Sequence, residues 1–153
     1  MGNSGLSLFL CRFVLCALEE NNQTRENMTN LWKRDNSGKY FWTVEHIFPE
    51  GKNIPDDWVD MIADGDRLLA QEYQAKYVHS LGNLTITGYN PSLSNFSFEK
   101  KKNRKSRDGS KDIGYRNGLY LNADVVNKDK WTVDIINART DKLVEEIVKL
   151  FSW

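Results

Sequence analysis

Cysteine is scarce in this chain: two residues in 153, Cys11 and Cys16. They stand five positions apart in one apolar stretch, which puts them on different helical faces. That spacing favours neither a zinc knuckle nor a disulfide. Both are expected to be ordinary buried thiols, in a reducing, cytoplasmic compartment. Long hydrophobic runs are also missing, and none approaches the ~18 residues that a membrane helix needs. The best, Leu6–Leu18, is broken by Arg12 and lacks the basic start and cleavage site of a signal peptide. No membrane association is expected. Nor is there an excess of one charge, since 21 Lys and Arg balance 21 Asp and Glu. This argues against a protein that is basic throughout, while leaving room for a local basic patch. Histidine is as rare as cysteine, with His46 and His79 alone.

What is present suffices for a core. Hydrophobic residues make up 40% of the chain and aromatics 12%, and the length fits one domain over 1–153. A disordered chain would be poorer in aromatics. The pattern predicts an N-terminal helix over 6–20, with Leu6, Leu8, Phe9, Phe13, Leu15 and Leu18 apolar. Such a helix is too apolar to stand alone in water, so something must cover it. Asn21–Ser37 is a polar connection with a helical turn expected around Leu31–Trp32. Tyr40–Phe48 is a strand candidate, bounded by Ser37-Gly38 and Pro49. Helices are expected from Pro55-Asp56-Asp57 to Ala63 and from Asp66 to Tyr77. Leu84–Thr87 predicts a short strand and Asn90-Pro91-Ser92 a turn. A further helix is expected to start near Leu93–Asn95, followed by a loop over 103–118. An amphipathic helix closes the chain within 129–152, with Ile136, Leu143, Val144, Ile147, Leu150 and Phe151 at 3.6 spacing.

Chemistry can reside in few places. His46 lies in Val44-Glu45-His46-Ile47-Phe48-Pro49, and His79 lies just before Gly82-Asn83-Leu84. A lone histidine beside a carboxylate is most often a structural hydrogen-bond pair. Asn83, Asn90 and Asn95 follow. A turn or cap role accounts for Asn90-Pro91 well and for Asn83, between a glycine and a strand, less well.

The order Glu45-His46-Ile47-Phe48-Pro49, Gly82-Asn83-Leu84-Thr85, then Asn90 to Asn95 with Phe98 and Lys100, resembles an HNH nuclease of the ββα-metal class. It is most similar to the C-terminal nuclease domain of GmrSD-type modification-dependent restriction endonucleases. Trp131, Ile135, Arg139 and Leu143 match the helix that ends that domain, and the resemblance covers roughly residues 6–153. The resemblance implies an α+β fold: a two-stranded antiparallel sheet and a helix around one divalent ion, at 40–103, embedded in mostly helical flanks. It implies a metal-dependent DNA endonuclease of restriction and phage defence.

Phosphodiester hydrolysis needs a deprotonated water and neutralisation of charge on the phosphate. In the implied roles, His46 takes the water proton and Asn83 orients the loop that carries it. Glu45 and Asn95, with Asn90 as the other choice, would hold Mg²⁺ or Mn²⁺. Adjacent strand residues point to opposite faces, so Glu45 and His46 can share a site only where the chain leaves strand geometry. His79 is expected to pack beside the site or touch substrate.

Lys100, Lys101, Lys102, Arg104, Lys105, Arg107 and Lys111 hold a third of the basic residues within one run. They are expected to contact DNA phosphates without base readout. The resemblance also implies an upstream nucleotide-hydrolysing domain of the same polypeptide, or a partner subunit, with 6–20 as the tail of the link. Dimerisation would serve a double-strand cut. The competing expectation is a non-catalytic DNA-binding or protein-interaction module on a decayed HNH fold. The presence of Glu45, His46, Asn83 and Asn95 together favours the enzyme.

Overall fold

The computed structural model describes residues 4–24 and 28–152, with the side chains of residues 4–6 excepted. Leu6, one of the apolar positions expected in the first helix, has its side chain outside the described residues. That helix is α1, Ser4–Asn21. Leu15, Cys16 and Leu18 are buried, whereas Phe9, Leu10 and Phe13 stay exposed and Cys11 is half-buried. Arg12 tethers α1 to the segment after it. Its Nε donates to Trp42 O at 2.8 Å and its Nη2 to Leu31 O at 2.5 Å, with the guanidinium over the Tyr40 ring. Residues 31–32 form a turn, not the expected helical turn.

The first strand is shorter than its pattern. β1 is Thr43–His46, and Tyr40 contributes only an isolated bridge to Arg34. β2 is Leu84–Thr87. The two pair antiparallel, from Thr43 opposite Thr87 to His46 opposite Leu84. Between them lie α2, Asp56–Ala63, and α3, Arg67–Tyr77, close to expectation. Asp56 and Asp57 sit in the first turn of α2, and the Asp66 carboxylate caps α3 by accepting from Leu69 N.

After β2 the sequence expectation is corrected. The turn at Asn90 is a single helical turn, α4, Asn90–Leu93. The next helix, α5, is Phe98–Asn103, so Asn95 lies in the link rather than opening a helix. Ser94 breaks the helical path with φ at 41°, and the Ser97 hydroxyl accepts from Lys100 N to start α5. The following loop ends at α6, Tyr120–Val126, an element the sequence pattern did not suggest. Its first amides are held by Glu19 of α1, whose carboxylate accepts from Tyr120 N at 3.0 Å and Leu121 N at 2.9 Å. The chain closes with α7, Val133–Phe151, capped by Thr132.

The result is α+β: a two-stranded antiparallel hairpin set among seven helices of the described residues. Leu84 and Ile86 pack with Leu15, Leu18, Leu31, Leu121 and Leu143 on one side. Glu45 and Thr85, paired across the hairpin, alternate to the other face. A separate aromatic core gathers Phe48, Trp58, Phe98, Tyr115 and Trp131. No helix among the described residues is long and apolar enough to cross a membrane.

Candidate active site

Where β1 ends, one buried side chain takes over the backbone. Asn83 Oδ1 accepts from Phe48 N at 2.8 Å and from Trp131 Nε1 at 3.0 Å. Its Nδ2 donates to Phe48 O at 3.0 Å and Val78 O at 2.9 Å. Ile47 N adds a bond to Asn83 O. Phe48 therefore cannot continue the ladder, and the segment after His46 is pinned.

Helix α7 braces this clamp from behind. Arg139 is buried, and its Nη1 donates to Gly82 O at 2.8 Å and Leu84 O at 2.7 Å, while Nη2 reaches Leu121 O at 2.8 Å. Gly82 N donates to Thr140 Oγ1 at 2.8 Å. A Cβ on Gly82 would lie 2.0 Å from Ile136 O, so only glycine permits this approach. Trp131 and Arg139 thus act on the hairpin through Gly82 and Asn83.

On the hairpin's other face, Glu45 is 2% exposed. Its Oε1 accepts from Lys101 Nζ at 2.8 Å and from Tyr115 OH at 3.0 Å. Lys101, fully buried, gives its other protons to His46 O at 2.9 Å and Ile47 O at 3.1 Å. Burial holds the Glu45 carboxyl above the ordinary carboxylate value, and Lys101 and Tyr115 oppose this only in part. An ammonium with all three protons on oxygens is well solvated by the protein. The Glu45 Oε2 has no hydrogen-bond partner among the described residues and is not a buried orphan.

Glu45, His46, Glu50, Asn90, Ser94 and Asn95 line one cavity of about 280 Å³. Adjacent Glu45 and His46 both reach it because His46 is the last residue of β1. Asn90 Nδ2 donates to Val44 O at 2.8 Å, and its amide oxygen accepts no hydrogen bond among the described residues. Asn95 is exposed and its side chain makes no hydrogen bond to the described residues. Its link is held by Trp58 Nε1, which donates to Phe96 O at 2.9 Å. Carboxylate and amide oxygens of this kind suit a hard divalent cation.

His46 is 8% exposed. Its Nε2 lies 3.0 Å from His79 Nδ1 and its Nδ1 lies 3.8 Å from Glu50 Oε1. Burial lowers the His46 pKa below the ordinary histidine value, Glu50 opposes this, and His79 and Lys101 add to it. The ring is therefore neutral at neutral pH. One ligand atom from each of His46, Glu50 and His79 falls within 4.8 Å of the others.

The basic run divides. Phe98, Lys101 and Lys102 form the inward face of α5. Lys101 and Lys102 are thereby withdrawn from the surface where the charge run had placed them. Lys102 Nζ donates to Lys128 O at 2.9 Å and meets Glu99. Lys105 pairs with Asp112 at 2.8 Å. Lys100, Arg104, Arg107 and Lys111 remain exposed. Lys100 and Arg104 lie over the ring of Phe96, next to Asn95. No sequence pattern singled out Tyr115. Glu50 carried one signal, its position just past Pro49 in the histidine segment.

No curated protein and no solved structure gives a significant match to this chain. A family model does, over residues 3–146, described as GmrSD restriction endonucleases, C-terminal domain. The matched span contains the hairpin, the cavity and the bracing residues Trp131 and Arg139. The chain belongs to the family of GmrSD restriction endonuclease C-terminal domains.

Proposed function

We propose that residues 1–153 are a metal-dependent DNA endonuclease domain of the HNH type, the nuclease part of a restriction enzyme acting on foreign or modified DNA. One observation carries this reading: a neutral, immobilised histidine shares a cavity with unpartnered carboxylate and amide oxygens. Glu45 and Asn95, with Asn90 beside them, are the residues that would hold Mg²⁺ or Mn²⁺. When bound, such an ion supplies positive charge against the phosphate and the leaving oxygen.

The chain's own residues do the rest. In the tautomer that places the His46 proton on Nε2, facing His79 Nδ1 at 3.0 Å, the His46 Nδ1 lone pair is left to take a proton from water. Asn83 holds the backbone after His46, so the ring is aimed before substrate arrives. Lys101 keeps Glu45 in place from the core side. Lys100, Arg104 and Arg107, with Lys105 at the margin, hold DNA phosphates without reading bases. An upstream nucleotide-hydrolysing domain or a partner subunit, a cytoplasmic setting and pairing of two copies for a double-strand cut belong to the same reading.

Nicking of supercoiled plasmid tests it. With Mg²⁺ or Mn²⁺ the chain is expected to nick, and EDTA is expected to stop it. His46→Ala should lose at least about 100-fold in rate, the lower range for removing a general base. Nicking that persists in EDTA, or a His46→Ala variant of full activity, would overturn the assignment.

A further inference from the structure

We propose that His46, Glu50 and His79 form a second cation site, for a borderline divalent ion of the zinc class rather than magnesium. The two imidazole nitrogens, His46 Nε2 and His79 Nδ1, are 3.0 Å apart. Two nitrogens on one tetrahedral zinc, each about 2.0–2.1 Å from it, are separated by about 3.3 Å. Only a small outward shift converts one spacing into the other. Glu50 Oε1 lies 3.8 Å from the other His46 nitrogen, Nδ1, so its carboxylate must swing toward Nε2 to join the pair; one ligand atom from each of the three residues lies within 4.8 Å of the others. Glu50 is 57% exposed at its side chain, so its carboxylate turns without disturbing the core.

The donor set decides which ion fits. Two imidazoles and one carboxylate, open to water at a fourth position, suit zinc, cobalt or nickel. Magnesium keeps oxygen ligands and its own waters, and two nitrogens give it little. The oxygens of Glu45, Asn90 and Asn95 line the same cavity as His46 and Glu50 and offer the opposite chemistry. His46 stands at the boundary. Its backbone is fixed through Asn83 and Lys101, while His79 and Glu50 are exposed. A zinc-class ion therefore meets one rigid ligand and two adaptable ones.

Such an ion would use a lone pair of His46. On the nuclease reading it is a brake, because the same ring accepts the water proton; that consequence rests on the reading, and the site itself does not.

The chain has only two histidines, so ¹⁵N–¹H spectra of the labelled full chain show each imidazole separately. Zinc is expected to move the ring signals of both His46 and His79 together, saturating at one equivalent. Magnesium at millimolar concentration is expected to leave His79 unmoved. Glu50→Gln should loosen zinc at least tenfold, with circular dichroism unchanged, and His79→Gln should do the same. Zinc shifts confined to one histidine, absent shifts, or wild-type affinity in both variants would each overturn the site. Plasmid nicking in magnesium without zinc reports separately on the nuclease reading, so failure of one is not mistaken for failure of the other.

Discussion

Lys101 shows how much a single side chain can decide. Its ammonium is surrounded by protein, with Glu45, His46 O and Ile47 O as its acceptors. A buried ion pair adds little net stability, because desolvation offsets attraction. Removing one member is different, since it strands the other charge. Lys101→Met is expected to cost about 3–5 kcal/mol in urea unfolding. Glu45→Gln added to it should recover part of that loss. A cost under about 1 kcal/mol would mean that water reaches the pair. His46 and Asn83 were legible as site candidates because their motifs carry them. Lys101 was not, because a run of like charges suggests a solvated face. Its partner Glu45 lies 56 positions earlier, and only the fold brings them together.

At the scale of elements, α7 is a brace for the hairpin. Gly82→Ala would press a methyl against the Ile136 carbonyl and Thr140, neither of which can retreat without moving the helix. A loss of about 3 kcal/mol is expected, at the upper end for overpacking, and thermal unfolding reports it. An unchanged Tm would show that α7 shifts freely. The contact of α6 with α7 gives a pH signature. Tyr120 donates its hydroxyl to Glu146, and that bond, with burial and nearby carboxylates, pushes the phenol up to about 12. An unfolded tyrosine titrates near 10, so the folded state favours the neutral form. The stabilisation is complete below pH ~10 and is lost as pH rises from there to about 12. Tyr120→Phe should flatten alkaline unfolding in that window, and an unaltered profile would remove the bond from the account. Short elements were the least legible. α6 has seven residues and takes its first amide partner from Glu19, 101 positions away. The start of α5 moved because Ser94 and Ser97, not Asn95, set the local backbone.

For the whole molecule, net charge is zero and the distribution matters more than the sum. Lys100 and Arg104 lie over the ring of Phe96, the residue after the cavity-lining Asn95, whereas Lys101 and Lys102 are consumed inside. DNA affinity should fall with salt, and each lost phosphate contact should reduce the log–log slope by about 0.9. Lys100→Ala with Arg104→Ala is expected to lower it by about 1.8. Lys105→Ala should change it less, because that lysine already pairs with Asp112. Equal slopes for wild type and the double variant would move the DNA path elsewhere. The apolar pattern of α1 is only half absorbed. Leu15 and Leu18 reach the core, while Phe9, Leu10 and Phe13 face out, with Phe13 stacked on Phe151. Val144 is likewise exposed, although its spacing in α7 placed it with the buried residues.

Sequence alone determined the strongly periodic elements and the order of the motifs. α2, α3 and α7 follow from spacing and capping residues, because those signals are local. The glutamate, histidine and asparagines were legible for the same reason: each motif is a short run of neighbours. The tertiary structure decided what these residues touch. It ended β1 at His46 through Asn83, turned Lys101 inward onto Glu45, and brought Glu50 to the same cavity. It set α7 against Gly82. Hydrogen bonds and ion pairs depend on distances in space, and positions tens of residues apart acquire those distances only when the chain closes on itself.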